Sequence, residues 1–194
     1  STWGIPAEDL DALHSDALAT EPRCYRAHLY HALLEHPYVL PTAAVFRKSF
    51  LTPEIRFVEA DAICGDWEFF ARLSKNHAAI YMPVETACNR SHEEAGRLTR
   101  TPDVIQLQRR LDMIARTWAA DADFMAVPDN RRRVEDIQFR YLTALAKQQL
   151  RDGSAEDIRQ TLDRARTLNP NFPTSLRALR IASTLPGGIG LLRG

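Results

Sequence analysis

Hydrophobic residues recur at spacings of three and four along the second half of the chain, and this period predicts helices. The first predicted helix spans residues 103–120, and its apolar stripe consists of Val104, Leu107, Leu111, Ile114 and Trp118. The same spacing predicts a second helix over about 130–151, which Gly153 ends. This part of the chain is therefore expected to bury helix faces against one another.

Two shorter helices are predicted after Gly153. One begins at Ser154, has Asp157 three residues on, and stops at Asn169-Pro170. The other is the segment TSLRALRIAST, residues 174–184. The Gly-rich tail beyond it predicts no regular structure.

Two helices are also predicted near the N-terminus. The segment AEDLDALHSDALAT carries acidic residues in its first turn, where they favour the positive end of the helix dipole. In the segment EPRCYRAHLYHALLEHP, Pro22 lies near the start of the predicted helix and Pro37 just beyond its end. Residues 7–20 and 21–37 are therefore expected to be helical.

Short strands are predicted in the middle of the first half. An apolar run with β-branched residues predicts a strand near 42–47. Two more strands are predicted at 78–82 and 84–90, broken at Pro83. Between them, the stretch GDWEFFARLSK predicts a helix over about 66–75.

The chain is therefore expected to divide near residue 101. Residues 1–101 mix short strands with helices, and residues 102–194 form an all-helical C-terminal extension. The predicted fold class is α/β, in a mostly helical chain. The segment RARTLNPNFP is typical of a tetratricopeptide helix end, but a single unit of that kind cannot bury its own face, so a solenoid is not expected.

Composition and charge exclude several classes of protein. Apolar residues make up 45% of the chain and charged residues 26%, which is ordinary for a globular protein. Lys plus Arg and Asp plus Glu balance at 25 each, which argues against a dedicated nucleic-acid binder. No segment approaches the roughly 20 apolar residues that a membrane span needs.

The cysteines and the first residues indicate a location. Cys24, Cys64 and Cys88 are odd in number and form no CxxC, which predicts free thiols in a reducing compartment, the cytoplasm. The first residues lack the basic start and long apolar run of a secretory signal. They also lack an initiator Met, so we expect a processed product or part of a longer polypeptide.

The helix that begins near Asp66 carries the principal candidate for a catalytic group. Asp66, Phe69, Phe70 and Leu73 share one face, so burial of the apolar side chains fixes the carboxylate at a helix N-terminus. A fixed carboxylate near a cleft suits a general base. Asp is also among the best N-cap residues, and the helix by itself favours the cap.

Two other groupings of side chains have ordinary interpretations. Glu68 and Arg72 lie four apart in the favourable order, and such a pair contributes about 0.3–0.5 kcal/mol on a surface. Cys24, His28 and His31 share one face of the predicted second helix and form a candidate zinc face. Because closed zinc sites draw on more than one segment, a structural role is favoured over a metal site.

Four short elements occur in order between residues 38 and 101: Phe46-Arg47, Phe57 with Glu59, the stretch GDWEFFARL, and Arg90 with His92. In this order they resemble the acceptor-side half of inverting nucleotide-sugar glycosyltransferases of family 2, which have the GT-A fold. That family has an "fR" segment, an "FdE" segment, an "ED" pair opening a helix of the form EDW-x4-R-L, and a "yR-x-H" element. The resemblance implies a partial GT-A-like half at residues 1–101.

The resemblance also implies roles for individual residues. Asp66 would be the general base that deprotonates the acceptor hydroxyl. Trp67 would offer a flat face to an acceptor ring, or else lie in the core. Arg90 and His92 would lie near the diphosphate leaving group, or else form a polar strand end. The loop 93–101 would close over the donor, or else be a plain connector.

Two positions depart from the family pattern. Gly65 stands where the family has a glutamate before the aspartate, and Val58 stands where the "FdE" aspartate would be. If the glutamate orients the acceptor, that role is vacant or moved. The aspartate usually assigned as base, here Asp66, is retained.

The donor-binding half of the family has no counterpart here. That half binds the nucleotide and holds Mn²⁺ or Mg²⁺ with a D-x-D, and nothing before residue 38 resembles it. D-x-D triplets at 9–11 and 121–123 are assigned to solvated helix ends. We therefore expect a C-terminal part of a longer enzyme, inactive alone, with the metal ligands mostly outside this chain.

The expected partners are a nucleotide-sugar donor and a sugar or lipid-linked acceptor. The tail after Leu185 leaves open a peripheral contact with the inner face of the membrane, and the oligomeric state is open too. The alternative function is a non-catalytic helical protein-interaction module in which Asp66 is only a cap.

Overall fold

The computed structural model describes residues 16–18, 23–59, 61–84, 101–152, 154–169 and 171–184. The chain forms two compact units, Ser1–Leu98 and Thr99–Gly194. Described elements of the first unit are three short strands, one α-helix and several 3₁₀ turns, whereas those of the second unit are all helices. The fold is therefore mostly helical with a small antiparallel sheet.

The sheet of the first unit has three strands: β1 (Asp16–Leu18), β2 (Cys24–Ala27) and β3 (Ala79–Tyr81). Both pairings are antiparallel, in the order β1-β2-β3. Tyr25 pairs with Tyr81 across the sheet, and their ring centroids lie 6.4 Å apart. Cross-strand aromatic pairs of this kind stabilise a short sheet. The strand predicted at 78–82 is confirmed in β3.

The two helices predicted near the N-terminus are wrong where the structure describes them. The predicted helix at 7–20 contains β1, and its other residues lie outside the described ones. The predicted helix at 21–37 is β2 followed by a 3₁₀ turn at Ala32–Leu34. Pairing of β2 with the distant β3 outweighs the local helical pattern, because tertiary contacts override propensity. The candidate zinc face is lost with this helix.

The strand predicted near 42–47 does not form. Pro41–Ala43 and Lys48–Phe50 are 3₁₀ turns, and the backbone between them is extended at Ala44 (φ −111°, ψ 136°) without joining the sheet. Val45 is 100% exposed, so the apolar run is not buried as a strand would require. The strand predicted at 84–90 is absent at Val84, and its other residues lie outside the described ones.

The helix predicted at 66–75 is confirmed as α1 (Gly65–Asn76). It packs beside the Ala32–Leu34 turn, whose Leu33 and Leu34 are fully buried. Acidic residues in its first turn and Lys75 in its last turn match the helix dipole.

The second unit contains five α-helices among its described residues. They are α2 (Asp103–Ile114), α3 (Ala122–Ala126), α4 (Pro128–Asp152), α5 (Ala155–Leu168) and α6 (Thr174–Thr184). The helices predicted at about 130–151, after Ser154, and at 174–184 are thereby confirmed. The helix predicted at 103–120 is confirmed through Ile114, after which a π-helical turn spans Ala115–Ala119.

The core of the second unit explains why these helices form. Their apolar stripes bury Leu111, Leu145, Ile158, Leu162 and Leu176 in one cluster. At the start of α5, Ser154 Oγ accepts from the Asp157 backbone N–H, and the Asp157 carboxylate accepts from the Ser154 N–H. This capping box satisfies two backbone donors that a helix N-terminus leaves free.

The D-x-D triplet at 121–123 is part of this helical packing. Asp121 is the N-cap of α3, is buried, and accepts a hydrogen bond from the Phe124 backbone N–H. The expectation of a solvated helix end is therefore wrong for Asp121, because the carboxylate is used inside the packing. No helix in the described part of the chain is long and apolar enough to cross a membrane.

Candidate functional site

The candidate site lies at the N-terminal end of α1, and local hydrogen bonds fix that end. Cys64 is the N-cap residue, and its backbone N–H donates to Asp61 Oδ1 at 3.1 Å. Asp61 is itself buried, and its N–H donates to the carbonyl oxygen of Val58 at 2.9 Å. These two hydrogen bonds, both within residues 58–64, therefore hold the turn that precedes α1.

The apolar side chains of α1 anchor the helix. Phe69, Phe70 and Leu73, which share a face with Asp66, are all buried, as the sequence predicts. Each such side chain contributes about 1.5–3 kcal/mol when it leaves water. The helix is held by more than this one face, because Glu68 and Ala71 are buried as well. The position of Asp66 is therefore set by a helix that is enclosed on several sides.

Asp66 lies inside the first turn of α1 and is not the N-cap. Its side chain is partly exposed, and its Oδ1 accepts a hydrogen bond from the Trp67 backbone N–H at 2.7 Å. Among the described residues, no other donor bonds to this carboxylate. One oxygen thus holds the side chain to the helix, and Asp66 as a whole remains partly exposed.

Trp67 lies in the core, one of the two roles that the sequence leaves open. Its side chain is only 6% exposed, and its indole N–H donates to the carbonyl oxygen of Leu33. This bond ties α1 to the Ala32–Leu34 turn and satisfies the only polar atom of the indole. The buried Trp67 ring therefore leaves little surface on which a ligand could stack.

The ion pair of Glu68 and Arg72 differs from the surface pair that the sequence predicts. Arg72 donates to the Glu68 carboxylate, and Glu68 is fully buried. Arg72 also donates to the carbonyl oxygen of Glu54 at 3.2 Å. The pair therefore fastens the segment around Glu54 to α1, and its loss would leave a carboxylate in a buried environment.

Phe57 is the aromatic side chain that the sequence interpretation underestimates. Its ring stacks on that of Phe69 at a centroid distance of 4.3 Å and an interplanar angle of 6°, and its side chain is 53% exposed. In the sequence analysis, Phe57 appears only as part of an "FdE"-like segment and has no role of its own. The charged residues Arg56 and Glu59 on either side of Phe57 are the sequence signal of a surface position.

The backbone of the same segment touches the start of α1. The Val58 carbonyl oxygen lies 3.7 Å from the place that a Cβ atom would take on Gly65. That distance is an ordinary contact, so a larger residue at position 65 has room for its Cβ. The departure from the family's glutamate is therefore not forced by a clash at this atom.

The other predicted site residues are not located by the structure. Arg90, His92 and residues 93–100 of the expected donor-covering loop lie outside the described residues. The helix that would have aligned Cys24, His28 and His31 is absent. In the described part of the chain, no group of three or more His, Cys, Asp or Glu side chains is placed to hold a metal ion.

Comparison of this chain with protein families, curated proteins and solved structures finds no match. The geometry of the site and the four ordered sequence elements are therefore the basis for assigning a function.

Proposed function

We propose that this chain is the acceptor-side part of an inverting, nucleotide-sugar-dependent glycosyltransferase of the GT-A type, with Asp66 as its general base. The observation that carries the proposal is the position of Asp66. Asp66 is partly exposed and lies at the N-terminal end of a helix whose neighbouring residues are buried. The resemblance to family 2 supports the proposal at the same residue.

The proposed chemistry needs little more than a correctly placed carboxylate. An acceptor hydroxyl gives its proton to Asp66, and its oxygen forms a bond to the anomeric carbon of the donor sugar. The bond from that carbon to the diphosphate breaks, and its electron pair leaves with the nucleotide. Attack from the opposite face inverts the anomeric configuration. General base catalysis of this kind contributes about 10²–10⁴-fold to the rate.

The surrounding residues support this role by holding Asp66 in place. The Trp67 N–H fixes one carboxylate oxygen, and the indole–Leu33 bond and the Glu68–Arg72 pair prevent α1 from shifting. Effective catalysis depends on such positioning, since misplacement of a reacting group by about 1 Å can cost 10²-fold in rate.

Donor-side functions are assigned from the resemblance alone. Arg90 and His92 would place positive charge by the diphosphate, where it stabilises the leaving group. The described residues do not fit a divalent-metal site, because no three His, Cys, Asp or Glu side chains among them are placed to hold an ion. The donor half and its metal ligands are proposed to lie elsewhere in a longer polypeptide.

One observation favours the alternative, a non-catalytic interaction module. All described elements of the second unit are helices, and exposed Ile105 and Ile181 provide apolar surface on them. This unit can serve as an interaction module in a transferase as well, so the two functions differ chiefly in the role of Asp66.

The experiment that separates them replaces Asp66 in the protein that contains this chain together with a donor-binding half. Asp66→Asn should lower sugar transfer by at least about 100-fold and leave nucleotide-sugar affinity within about twofold. Asp129→Asn is the matched control, because Asp129 is an exposed first-turn aspartate of α4. If Asp66→Asn still transfers sugar at a similar rate, Asp66 is not the general base, and the non-catalytic interaction module is the favoured function.

A further inference from the structure

A short segment of the first unit exposes apolar side chains to solvent. Val45 is 100% exposed and Phe46 is 39% exposed. Every residue from 41 to 49 is exposed except Ala44, which is partly buried. We call residues 44–48 the exposed tip. Apolar side chains that stand together at a surface mark a site of contact with a protein or a membrane.

The exposed tip is attached to the body of the first unit. It lies between the two 3₁₀ turns that flank it. The ring of Phe46 lies on that of buried Phe69, with centroids 5.3 Å apart. In the second turn, Phe50 stacks on His77 at a centroid distance of 3.8 Å and an interplanar angle of 10°. A segment held in this way binds a partner without first paying the entropy cost of ordering.

Positive charge lies beside these apolar residues. Arg47 and Lys48 follow Phe46 directly in the chain, and both are exposed. Residues 36–53 include no acidic residue, whereas the chain as a whole has a formal net charge of zero. The excess of positive charge is therefore local to this segment, and its natural complement is a surface that is both apolar and anionic.

The apolar surface continues beyond the exposed tip. Phe57 is 53% exposed, and its ring stacks on the same Phe69 ring that Phe46 contacts. The charges beside Phe57, on Arg56 and Glu59, are opposite in sign. Phe57 therefore adds apolar area without adding net charge, and the cations that favour an anionic partner are those of the exposed tip.

We propose that the exposed tip docks this chain on an anionic lipid surface. Val45 and Phe46 enter the boundary between headgroups and acyl chains, where apolar side chains leave water. Arg47 and Lys48 stay at the level of the headgroups and bond to lipid phosphates. This contact does not depend on the proposed function, because it uses no residue of the candidate site.

The shape of the exposed tip favours lipid over a second protein. A specific protein interface buries about 800 Å² on each partner around a closely packed centre. The exposed tip is much smaller than that, and a protein partner would need a pocket that fits the projecting Val45. Lipids rearrange around a projecting group and need no preformed pocket.

The first test is co-sedimentation of this chain with vesicles. With equal parts of phosphatidylcholine and phosphatidylglycerol, half of the chain should bind at about 1 mM lipid, and binding to phosphatidylcholine alone should be at least about tenfold weaker. Because each cation near an anionic surface contributes about fivefold, Arg47→Gln combined with Lys48→Gln should weaken binding about 25-fold. The matched control combines Arg140→Gln with Arg164→Gln, two exposed cations of the second unit, and should bind within about twofold of the unchanged chain.

The second test asks whether Val45 enters the lipid. Val45→Trp should bind the anionic vesicles more tightly, and lipids with brominated acyl chains should quench its added fluorescence, measured as the difference from the unchanged chain. Ile181→Trp, a change at a 59% exposed residue of α6, is the control and should not be quenched. Val45→Ser should weaken binding at least about threefold while leaving the midpoint of urea unfolding unchanged, because Val45 is fully exposed.

Absence of binding to the anionic vesicles would overturn the inference and leave a protein as the partner of the exposed tip. Equal binding to phosphatidylcholine alone, or equal losses in the two pairs of Arg and Lys substitutions, would overturn it as well. So would quenching that is absent in Val45→Trp or equally strong in Ile181→Trp. None of these results bears on Asp66, whose role is measured by sugar transfer without vesicles.

Discussion

Arg72 donates a hydrogen bond to the carboxylate of Glu68, and the two residues differ sharply in burial. The Glu68 side chain is 0% exposed, whereas that of Arg72 is 29% exposed. A buried carboxylate that loses a cation is destabilised, because part of its desolvation is no longer offset. The pair also carries the link from α1 to Glu54, which lies three residues before Phe57.

Arg72→Ala should therefore lower the free energy of unfolding by about 2 kcal/mol, measured by urea titration. The matched control is Arg132→Ala, since Arg132 pairs with Asp136 at the same spacing but at 4.0 Å, with side chains 82% and 67% exposed. That change should cost less than about 0.5 kcal/mol. Equal effects of the two substitutions would show that burial of Glu68 does not determine the strength of its pair.

Trp67→Phe tests the second anchor of α1. The substitution removes the indole N–H and leaves the Leu33 carbonyl oxygen without this donor in a buried environment. Together with the lost volume, this should lower the free energy of unfolding by about 2 kcal/mol or more. A loss under about 0.5 kcal/mol in the same urea titration would contradict the assignment of Trp67 to the core.

Gly65→Ala tests the room at the start of α1. Among the residues that the structure describes, the atom that the added Cβ meets is the Val58 carbonyl oxygen at 3.7 Å, so the Cβ should fit there without strain. Ala also has a better helix propensity than Gly, and the substitution should therefore raise the free energy of unfolding by about 0.5 kcal/mol. A loss of more than about 1 kcal/mol would show that the segment at Val58 is packed more tightly against the helix than this distance implies.

Ser154→Ala tests the capping box of α5. Removing the hydroxyl should cost about 1 kcal/mol at pH 7. Hydrogen bonds from the Ser154 side chain and then its backbone N–H lower the pKa of Asp157 from its ordinary value. Since the folded pKa is depressed, this part of the stability is present above the ordinary pKa and is lost as the pH falls through the folded pKa.

The difference in stability between the unchanged chain and Ser154→Ala should therefore stay constant from pH 7 down to about pH 4 and narrow below it. Urea titrations across this range measure it. The control is the same Ser154→Ala change made in a chain that carries Asp157→Asn, which cannot ionise at that position, and the difference in stability measured there should show no such narrowing. A difference that grows on acidification would contradict the assigned direction of the pKa shift.

The sequence predicts the helices of the second unit well because their apolar periodicity agrees with their packing. Leu111 and Ile158 lie in the core that their spacing implies, and the Ser154–Asp157 signal forms the expected capping box. Local preference and tertiary contacts point to the same structure there. The π-helical turn at Ala115–Ala119 has no such local signal.

The first unit is harder to predict because its pairing is not local. Tyr25 lies in a pattern that reads as a helix, yet it pairs with Tyr81 in a three-stranded sheet. No pattern within 21–37 contains that information. For the same reason, the sequence predicts the burial of Phe69 but not that Phe57 stacks upon it.

In the proposed reaction, Asp66 removes the acceptor proton. The rate of nucleoside diphosphate release at saturating donor and acceptor measures this role most directly. The measurement uses the polypeptide that contains this chain with its donor-binding half. If Asp66 is the general base, Asp66→Asn lowers this rate at least about 100-fold, while Asp129→Asn leaves it within about twofold. A rate for Asp66→Asn within about threefold of the unchanged enzyme would contradict this role.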